Sequence, residues 1–313
     1  MSFASGVKDE LQQNSHKRLH CQKAELAAIY ALNGQLEISS SSGIACSIHT
    51  VQAGLARRVY RMIKDHLGIN VHLYTKPDRL RRSNRYLVNV QGGHQVDTLL
   101  SFLQKGSLQA ALIPQSSLLM LQRDCCKQAY LRGAFLAAGS LNDPSSGSYH
   151  LEIVTESETH AEDISETLKY FELKAHLIER KSSFIVYLKD RNDIADFLTL
   201  VGAMRNRLIF EDVLINRELR NNANRQRNCL VANAERTSAA GFRQQSAIFW
   251  LNRDPSIWNS LSPQLMQVAQ ARLDEPYSTL SDLGESLGIS KSAANHRLRK
   301  LCSLAEEYGW RGV

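Results

Sequence analysis

ELAAIYALNGQLEIS (residues 25–39) and YLRGAFLAAGSLND (residues 130–143) are two stretches built on the same plan. Each is a run of small and apolar residues that ends in glycine, and Gly139 lies 105 residues after Gly34. Small and apolar residues without proline favour a buried helix, and a glycine after such a run favours a left-handed C-cap. The sequence therefore predicts a tandem repeat with one such helix in each copy.

The segments that follow these two helices repeat as well. In the first copy, strand-like residues 36–39 and 44–50 precede an amphipathic helix at 51–67, a hairpin with the turn PDRLRRSN, and a helix at 96–103. In the second copy, a strand at 149–156 precedes a helix at 160–171, strands at 174–181 and 183–190, and a helix at 192–204. Both copies predict the order α-β-β-α-β-β-α, which is an α+β fold.

The C-terminal segment LSDLGESLGISKSAANHRLRKL (residues 280–301) fits a helix-turn-helix. Ser278 or Thr279 is placed to cap the first helix, and Gly288 to make the turn. Ser290 is placed to cap a second helix whose Ala294, Leu298, Leu301 and Ala305 repeat at helical spacing and predict its core side.

The opposite side of that second helix carries the predicted DNA-binding residues, within a segment that begins at Glu275 and ends at Tyr308. No acidic residue occurs between Glu285 and Glu306. Short polar and arginine side chains bind base edges in the major groove, and basic side chains beside them bind phosphates. The predicted contacts are Lys291, Ser292, Asn295, His296, Arg297, Arg299 and Lys300. A helical hairpin with a merely solvated basic face is the alternative.

A second basic cluster lies in the first repeat. Residues 57–85 hold nine basic and two acidic side chains, and the turn of the predicted hairpin is its densest part. Such a turn reaches phosphates, not bases. The secondary DNA contacts predicted here are Arg79, Arg81, Arg82 and Arg85.

The predicted domains follow from these patterns. Residues 1–20 form an N-terminal helical segment, 21–205 the tandem repeat with halves 21–110 and 121–205, and 255–313 the helix-turn-helix domain. Between them, residues 206–254 predict a basic linker in which Arg, Asn and Gln dominate. This linker is either a solvated connector or a segment that lies along phosphates, and its composition also permits a helix.

Composition limits the class of protein. The 313 residues include 43% hydrophobic and 22% charged side chains and carry a net charge of +7, which favours a globular protein with a polyanionic partner. An amphipathic N-terminus without a signal peptide and the lack of a long apolar run predict a cytoplasmic protein with no membrane partner. The six cysteines form no C-x-x-C motif, so we expect packing thiols, with no metal site and no cofactor.

Taken together, the repeat and the C-terminal module resemble the WhiA family of bacterial regulators of sporulation and cell division. The likeness runs from MSFASGVKDEL (residues 1–11) to the last helix. Members of that family resemble LAGLIDADG homing endonucleases in their N-terminal part, and the nine-letter signature falls here on residues 26–34 and 131–139. In the endonucleases the two signature helices pack against each other, and their small residues allow a close approach.

The resemblance also implies what the signature has lost. Its eighth letter is the catalytic aspartate in the endonucleases, and it is Asn33 and Ala138 in this sequence. Phosphodiester hydrolysis of this kind needs Mg²⁺ held by carboxylates, for which an amide is a weak substitute and a methyl none. Glu37 and Asp143 follow the two glycines, but in the wrong register for a relocated site. The resemblance therefore implies a degenerate, non-catalytic LAGLIDADG-like domain.

The predicted function is a sequence-specific, nucleoid-associated DNA-binding regulator of transcription in cell division, chromosome segregation or sporulation. Double-stranded DNA is the predicted partner, with other regulators such as a sigma factor or division proteins beside it. Two alternatives stay open: an active LAGLIDADG-type endonuclease, and an adaptor that binds protein or ligand and binds DNA secondarily.

Overall fold

A computed structural model of the protein describes residues 2–14, 18–39, 43–78, 83–104 and 116–312. The chain divides into two compact units, Met1–Arg217 and Glu218–Val313. Among the described residues, no helix has the length and apolar character needed to cross a membrane. The turn residues Arg79, Arg81 and Arg82 lie outside the described part of the chain.

The first unit contains the helices and strands of the two predicted repeats. Those of the first copy are α2 (Leu19–Asn33), β1 (Gly34–Ser39), β2 (Gly43–Thr50), α3 (Ala53–Leu67), β3 (Val71–Asp78), β4 (Ser83–Gln91) and α4 (Gly93–Phe102). Those of the second copy are α5 (Asp124–Ala138), β5 (Gly139–Leu141), β6 (Leu151–Thr155), α6 (Glu158–Tyr170), β7 (His176–Arg180), β8 (Ser183–Leu188) and α7 (Arg191–Val201). The predicted order of elements is confirmed in both copies.

Each copy forms a four-stranded antiparallel sheet. The strand orders are β1-β2-β4-β3 and β5-β6-β8-β7, so the two copies share one topology. Alternate strand residues such as Ile48, Val88 and Ile153 face a common hydrophobic core that also includes the helices. The period-two pattern of the sequence thus decides which face of each sheet is covered.

The two signature helices α2 and α5 pack against each other at the centre of this core. Ala27, Ala28 and Ala134 are fully buried in it. Gly133 has no room for a side chain, because a Cβ there would lie 3.0 Å from the Cβ of Ala28 and would collide with the carbonyl oxygen of Glu25. The small residues of the signature therefore set the distance between the helices.

The glycines that end these helices do not adopt the left-handed cap that we predicted. Gly34 has φ −83° and Gly139 has φ −76°, both in the extended region. Glycine is needed here for space, since a Cβ would collide with the ring and carbonyl of Tyr30 in the first copy and of Phe135 in the second. Each chain therefore turns directly from helix into strand.

An N-terminal helix, α1 (Phe3–Gln13), completes the first unit. Val7 and Leu11 enter the core, and the buried carboxylate of Glu10 accepts hydrogen bonds from the backbone N–H groups of Arg205 (2.8 Å) and Asn206 (2.9 Å). These two N–H groups belong to the first turn of the next helix, α8 (Met204–Asn252), where a carboxylate satisfies otherwise unpaired donors.

The predicted basic linker lies in helix α8, the helical alternative that its composition permits. It is one helix of 49 residues, and it runs past the boundary between the two units. Its Arg, Ala and Gln residues are good helix formers, so low apolar density here did not mean an irregular chain. Near its end, Ala247, Ile248 and Leu251 are fully buried in the core of the second unit. That core therefore begins before residue 255.

Four short helices complete the second unit. They are α9 (Pro255–Asn259), α10 (Pro263–Asp274), α11 (Leu280–Ser286) and α12 (Lys291–Glu307). Asp254, Ser262, Thr279 and Ser290 each accept a backbone hydrogen bond as their N-caps. The apolar side chains of these helices and the end of α8 form a core separate from that of the first unit.

Candidate nucleic-acid interface

Helices α11 and α12 form the predicted helix-turn-helix. Thr279 caps α11 in a capping box, in which Asp282 accepts from the backbone N–H of Thr279 at 2.9 Å. Hydrogen bonds with the Thr279 side chain and backbone hold the pKa of Asp282 below its ordinary value, so its carboxylate stays ionised in the capping box. The start of the motif is therefore fixed by its own sequence.

The turn between the helices is closed by glycine. Gly288 has φ +63°, the left-handed conformation that we predicted, and Ile289 N–H donates to the carbonyl of Gly284 at 2.8 Å. A Cβ at Gly284 would lie 2.8 Å from the carbonyl oxygen of Ile289, so glycine is also required on the first helix. Backbone atoms of the turn and of the start of α12 therefore occupy the space that a side chain at Gly284 would need.

The two sides of α12 separate as the sequence predicts. Ala294, Leu298, Leu301 and Ala305 are fully buried. The predicted contact residues lie away from that core: Lys291, Ser292, His296, Arg299 and Lys300 are exposed, and Asn295 and Arg297 are half-buried. Among the residues that the structure describes, none forms a hydrogen bond or ion pair with these seven side chains. Their donors are available to an external ligand.

Arg272 on α10, which the sequence analysis did not single out, holds the segment before the motif. Its side chain is almost fully buried, and its Nη1 donates to the carbonyl oxygens of Ser278 (2.8 Å), Pro276 (3.3 Å) and Glu275 (3.4 Å). Burial lowers the pKa of this guanidinium from its usual value. The three carbonyl oxygens replace water that the guanidinium loses on burial. By binding them, Arg272 fixes the backbone just before α11.

Helix α8 also supports the motif from within the second unit. Arg243 forms an ion pair with Glu306 at 2.9 Å, and the Trp250 indole Nε1 donates to the carbonyl oxygen of Tyr308 at 3.2 Å. Both contacts grip the C-terminal part of α12, whereas the predicted DNA contacts occupy its N-terminal half. The sequence could not have paired these residues, because more than 55 positions separate each pair.

In the first unit, the described part of the secondary basic surface lies on the hairpin of β3 and β4. Exposed Arg85 is the cross-strand neighbour of exposed Lys76, so both side chains project from one face of the sheet. Arg85 also lines a cavity of about 300 Å³ with His49 and Asn33. Arg85 is the one member of the four predicted secondary contacts within the described residues.

One basic residue of this cluster does not belong to the surface. Arg58 is buried, and its guanidinium forms two hydrogen bonds with the carboxylate of Glu25, at 2.5 Å (Nε to Oε1) and 2.9 Å (Nη2 to Oε2). The charge count of residues 57–85 included Arg58 because sequence proximity cannot detect a partner 33 residues away. The charge that faces solvent is smaller by one.

Three family profiles match consecutive parts of the chain. They are described as WhiA N-terminal LAGLIDADG-like domain (residues 19–104), WhiA LAGLIDADG-like domain (residues 127–220) and WhiA C-terminal HTH domain (residues 223–305). A protein of Oceanobacillus iheyensis named "Probable cell division protein WhiA" is 41% identical over 98% of this chain and 98% of its own length. The chain belongs to the WhiA family.

Two further comparisons agree with this assignment. A protein of the same printed name from Heliobacterium modesticaldum is 40% identical to the chain and covers all of it, with 98% of its own length matched. The crystal structure of full-length DUF199/WhiA from Thermatoga maritima superposes with a TM-score of 0.60 at 23% identity, over 99% of this chain and 100% of that one. The WhiA fold thus extends over both units.

The degenerate signature positions of this WhiA-family chain lie at the C-terminal ends of the paired helices. Asn33 is the last residue of α2, and its Nδ2 donates to the carbonyl oxygen of Ala137 at 3.4 Å; Ala138 is the last residue of α5. Between them the two positions supply one amide and one methyl. The side chains at these positions therefore offer Mg²⁺ one neutral amide oxygen and no carboxylate.

The two acids that follow the glycines do not replace the aspartates that the signature has lost. Glu37 is exposed on β1, and Asp143 caps a 3₁₀ turn by accepting from the N–H (2.8 Å) and hydroxyl (2.6 Å) of Ser145. These hydrogen bonds lower the pKa of Asp143. Across the described residues, no group of three or more His, Cys, Asp or Glu ligand atoms converges near the ends of the signature helices where Asn33 and Ala138 lie.

Proposed function

We propose that this WhiA-family protein is a sequence-specific, non-catalytic DNA-binding regulator of transcription in bacterial cell division, chromosome segregation or sporulation. It would act in the cytoplasm, at the nucleoid. The observation that carries the proposal is the outer side of α12: within the described part of the chain no group bonds to its seven polar or basic side chains, and the helix has no acidic residue before Glu306. The names of the relatives support the link to cell division.

In this proposal α12 is the recognition helix. Its N-terminal residues enter the major groove while α11 crosses the backbone. Arg299 and Asn295 have the chemistry to bind base edges, and Lys291, Arg297 and Lys300 the chemistry to bind phosphates. The Arg85–Lys76 surface of the first unit adds phosphate contacts, which carry affinity without sequence preference. Tethering the two surfaces in one chain raises the overall affinity.

The test separates recognition of base edges from binding to phosphates. Selection from random duplexes first defines a preferred site, and binding to that site and to a scrambled duplex is then measured across a salt series. Arg299→Ala is expected to cost about 1–3 kcal/mol on the preferred site and to flatten sequence preference. Arg85→Ala is expected to weaken both duplexes equally and to lower the salt slope by roughly one unit.

Lys169→Ala, on an exposed part of α6, is the control for the loss of one positive charge. If Arg299→Ala lowers affinity uniformly and preference survives, α12 is not the reader, and base contacts must be sought on the sheets of the first unit. Equal effects of Lys169→Ala and Arg85→Ala would remove the β3–β4 hairpin from the interface.

The non-catalytic part of the proposal has its own experiment. We expect no nicking or linearisation of supercoiled plasmid carrying the preferred site, in Mg²⁺ or Mn²⁺. The physical reason is the amide and methyl at Asn33 and Ala138. Cleavage that Glu37→Ala or Asp143→Ala abolishes would establish an active, relocated nuclease site instead. Other regulators, such as a sigma factor, and division proteins are the further partners that we propose.

A further inference from the structure

Four potential metal ligands meet at the N-terminal ends of the two signature helices. His20 and Cys21 lie in the first turn of α2, and Cys125 and Cys126 in the first turn of α5. One ligand atom from each lies within 4.8 Å of the other three. The Nδ1 atom of His20 is 3.2 Å from Cys126 Sγ, 3.3 Å from Cys21 Sγ and 4.0 Å from Cys125 Sγ.

The repeat places these residues together. The offset of 105 residues maps His20 onto Cys125 and Cys21 onto Cys126, so each copy contributes two consecutive ligands from the same helical turn. A search for C-x-x-C spacing misses the group, because no single segment holds more than two of its members. The sequence expectation of packing thiols rested on that search.

The distances suit a tetrahedral ion. Zinc takes bonds of about 2.3 Å to sulfur and about 2.1 Å to nitrogen, which place tetrahedral ligands roughly 3.6–3.8 Å apart. The observed separations from His20 bracket that distance, and all four ligand atoms lie within 4.8 Å of one another, so small side-chain shifts complete the geometry. Cys21 and Cys126 are almost fully buried and His20 and Cys125 half-buried, which leaves the site closed to substrate but reachable by an ion.

The surrounding charge suits the bound state. Three thiolates and a neutral imidazole around a divalent ion carry a net charge of −1. Arg18 and Arg123, the N-caps of α2 and α5, are again 105 residues apart, and each places a positive charge within three residues of the cysteines of its own copy. The N-terminal ends of both helices add partial positive charge.

We propose that His20, Cys21, Cys125 and Cys126 bind one Zn²⁺ ion in a Cys₃His structural site that ties together the N-terminal ends of the signature helices. The site lies at the opposite end of these helices from Asn33 and Ala138. It gives no catalysis, because four protein ligands leave no open position. Its effect is on stability, since an ion that binds only the folded chain shifts the unfolding equilibrium.

The experiment uses the full-length chain, stripped with chelator under reducing conditions and titrated with Co²⁺ and then Zn²⁺. We expect one equivalent of Co²⁺ to produce thiolate-to-cobalt charge transfer and the d–d bands of tetrahedral Co²⁺, and one equivalent of Zn²⁺ to bleach both. Zn²⁺ is also expected to raise the Tm of the stripped protein. Cys126→Ser is expected to abolish the charge-transfer signal at one equivalent, and His20→Gln to weaken Co²⁺ binding at least tenfold.

Cys229→Ser and Cys302→Ser are the matched controls, since these cysteines lie in the other unit, and both are expected to bind as the wild type does. Circular dichroism of each stripped variant checks that it is folded. If Cys126→Ser does not fold, His20→Gln remains as a test, because it alters a half-buried side chain. An octahedral Co²⁺ spectrum, or a tetrahedral one that survives in His20→Gln and Cys126→Ser alike, would overturn the proposal. So would a disulfide among these cysteines in protein isolated from the cell under thiol-blocking conditions.

Discussion

The two copies of the repeat share one order of helices and strands, but a pair of buried polar positions holds different side chains in each. In the first copy, Glu25 on α2 and Arg58 on α3 form an ion pair. The offset of 105 residues places Tyr130 on α5 and Asp163 on α6 at the equivalent positions. The anion of the first copy thus corresponds to a phenol in the second, and the cation of the first copy to an anion.

Each solution satisfies its buried charge differently. Arg58 also donates Nη1 to the carbonyl oxygen of Asn14 at 3.0 Å, which fastens the end of α1. Asp163 accepts from the hydroxyl of Ser116 and the backbone N–H of Ser117, both at 2.6 Å. Burial, and next the nearby Asp163 charge, raise the pKa of Tyr130, which stays a neutral phenol. The fold therefore requires partners for a buried charge, and not a charge of a particular sign.

The largest expected effect comes from breaking the ion pair. Arg58→Met leaves the Glu25 carboxylate buried without its cation, and we expect a loss of about 3–5 kcal/mol in the free energy of unfolding, measured by urea denaturation. The double variant Glu25→Leu/Arg58→Met removes both charges and is expected to recover most of the loss. A double variant no more stable than the single one would mean that Arg58 acts mainly through its bonds to the backbone around Asn14.

The next effect concerns the contact between the copies. Gly133→Ala adds a methyl group where the carbonyl of Glu25 and the Cβ of Ala28 already lie, so the helices must separate. We expect a destabilisation of about 1–3 kcal/mol. Gly93→Ala is the control, because its added Cβ would meet nothing closer than 3.9 Å. Equal Tm values for the two variants would show that α2 and α5 tolerate a wider spacing.

A smaller loss is expected in the second copy. Asp163→Asn keeps one acceptor oxygen but turns an amide N–H₂ toward the donors Ser116 and Ser117. We expect a cost of about 1–2 kcal/mol in urea denaturation, less than for Arg58→Met, since Ser116 and Ser117 are neutral donors whereas Glu25 is a buried charge. A larger loss from Asp163→Asn than from Arg58→Met would reverse the comparison and make Asp163 the more important buried charge.

The same comparison explains what the sequence could predict. Periodicity and the repeat gave the element order, and the caps and Gly288 gave the helix-turn-helix, because these signals are local. Arg58, the group around His20 and the carbonyl bonds of Arg272 are long-range pairings, and local sequence carries no sign of them. For residues 206–254 the sequence left both a solvated connector and a helix open, because apolar density measures burial and a helix exposed along most of its length has little of it.

The smallest expected effect concerns helix α1, which precedes the repeat and packs on its second copy. Lys8 on α1 lies with Nζ 5.6 Å from the ring centroid of Phe135, and burial lowers the pKa of Lys8 from 10.5 to about 8. Between these two values the unfolded chain binds more protons than the folded one, so stability rises with pH through that window and the penalty is fully present below it.

We therefore expect Lys8→Met to stabilise the protein by about 1 kcal/mol at neutral pH, with an advantage over wild type that shrinks as pH rises from about 8 to about 10.5. Urea midpoints of both proteins at matched pH values measure the difference, and Lys169→Met on exposed α6 controls for the lost charge. An advantage that does not change with pH would mean that the Lys8 ammonium group is hydrated. Its attraction to the Phe135 ring would then have no desolvation cost to offset. In that case α1 packs on the second copy without an electrostatic cost, and the stabilisation by methionine would come from apolar area alone.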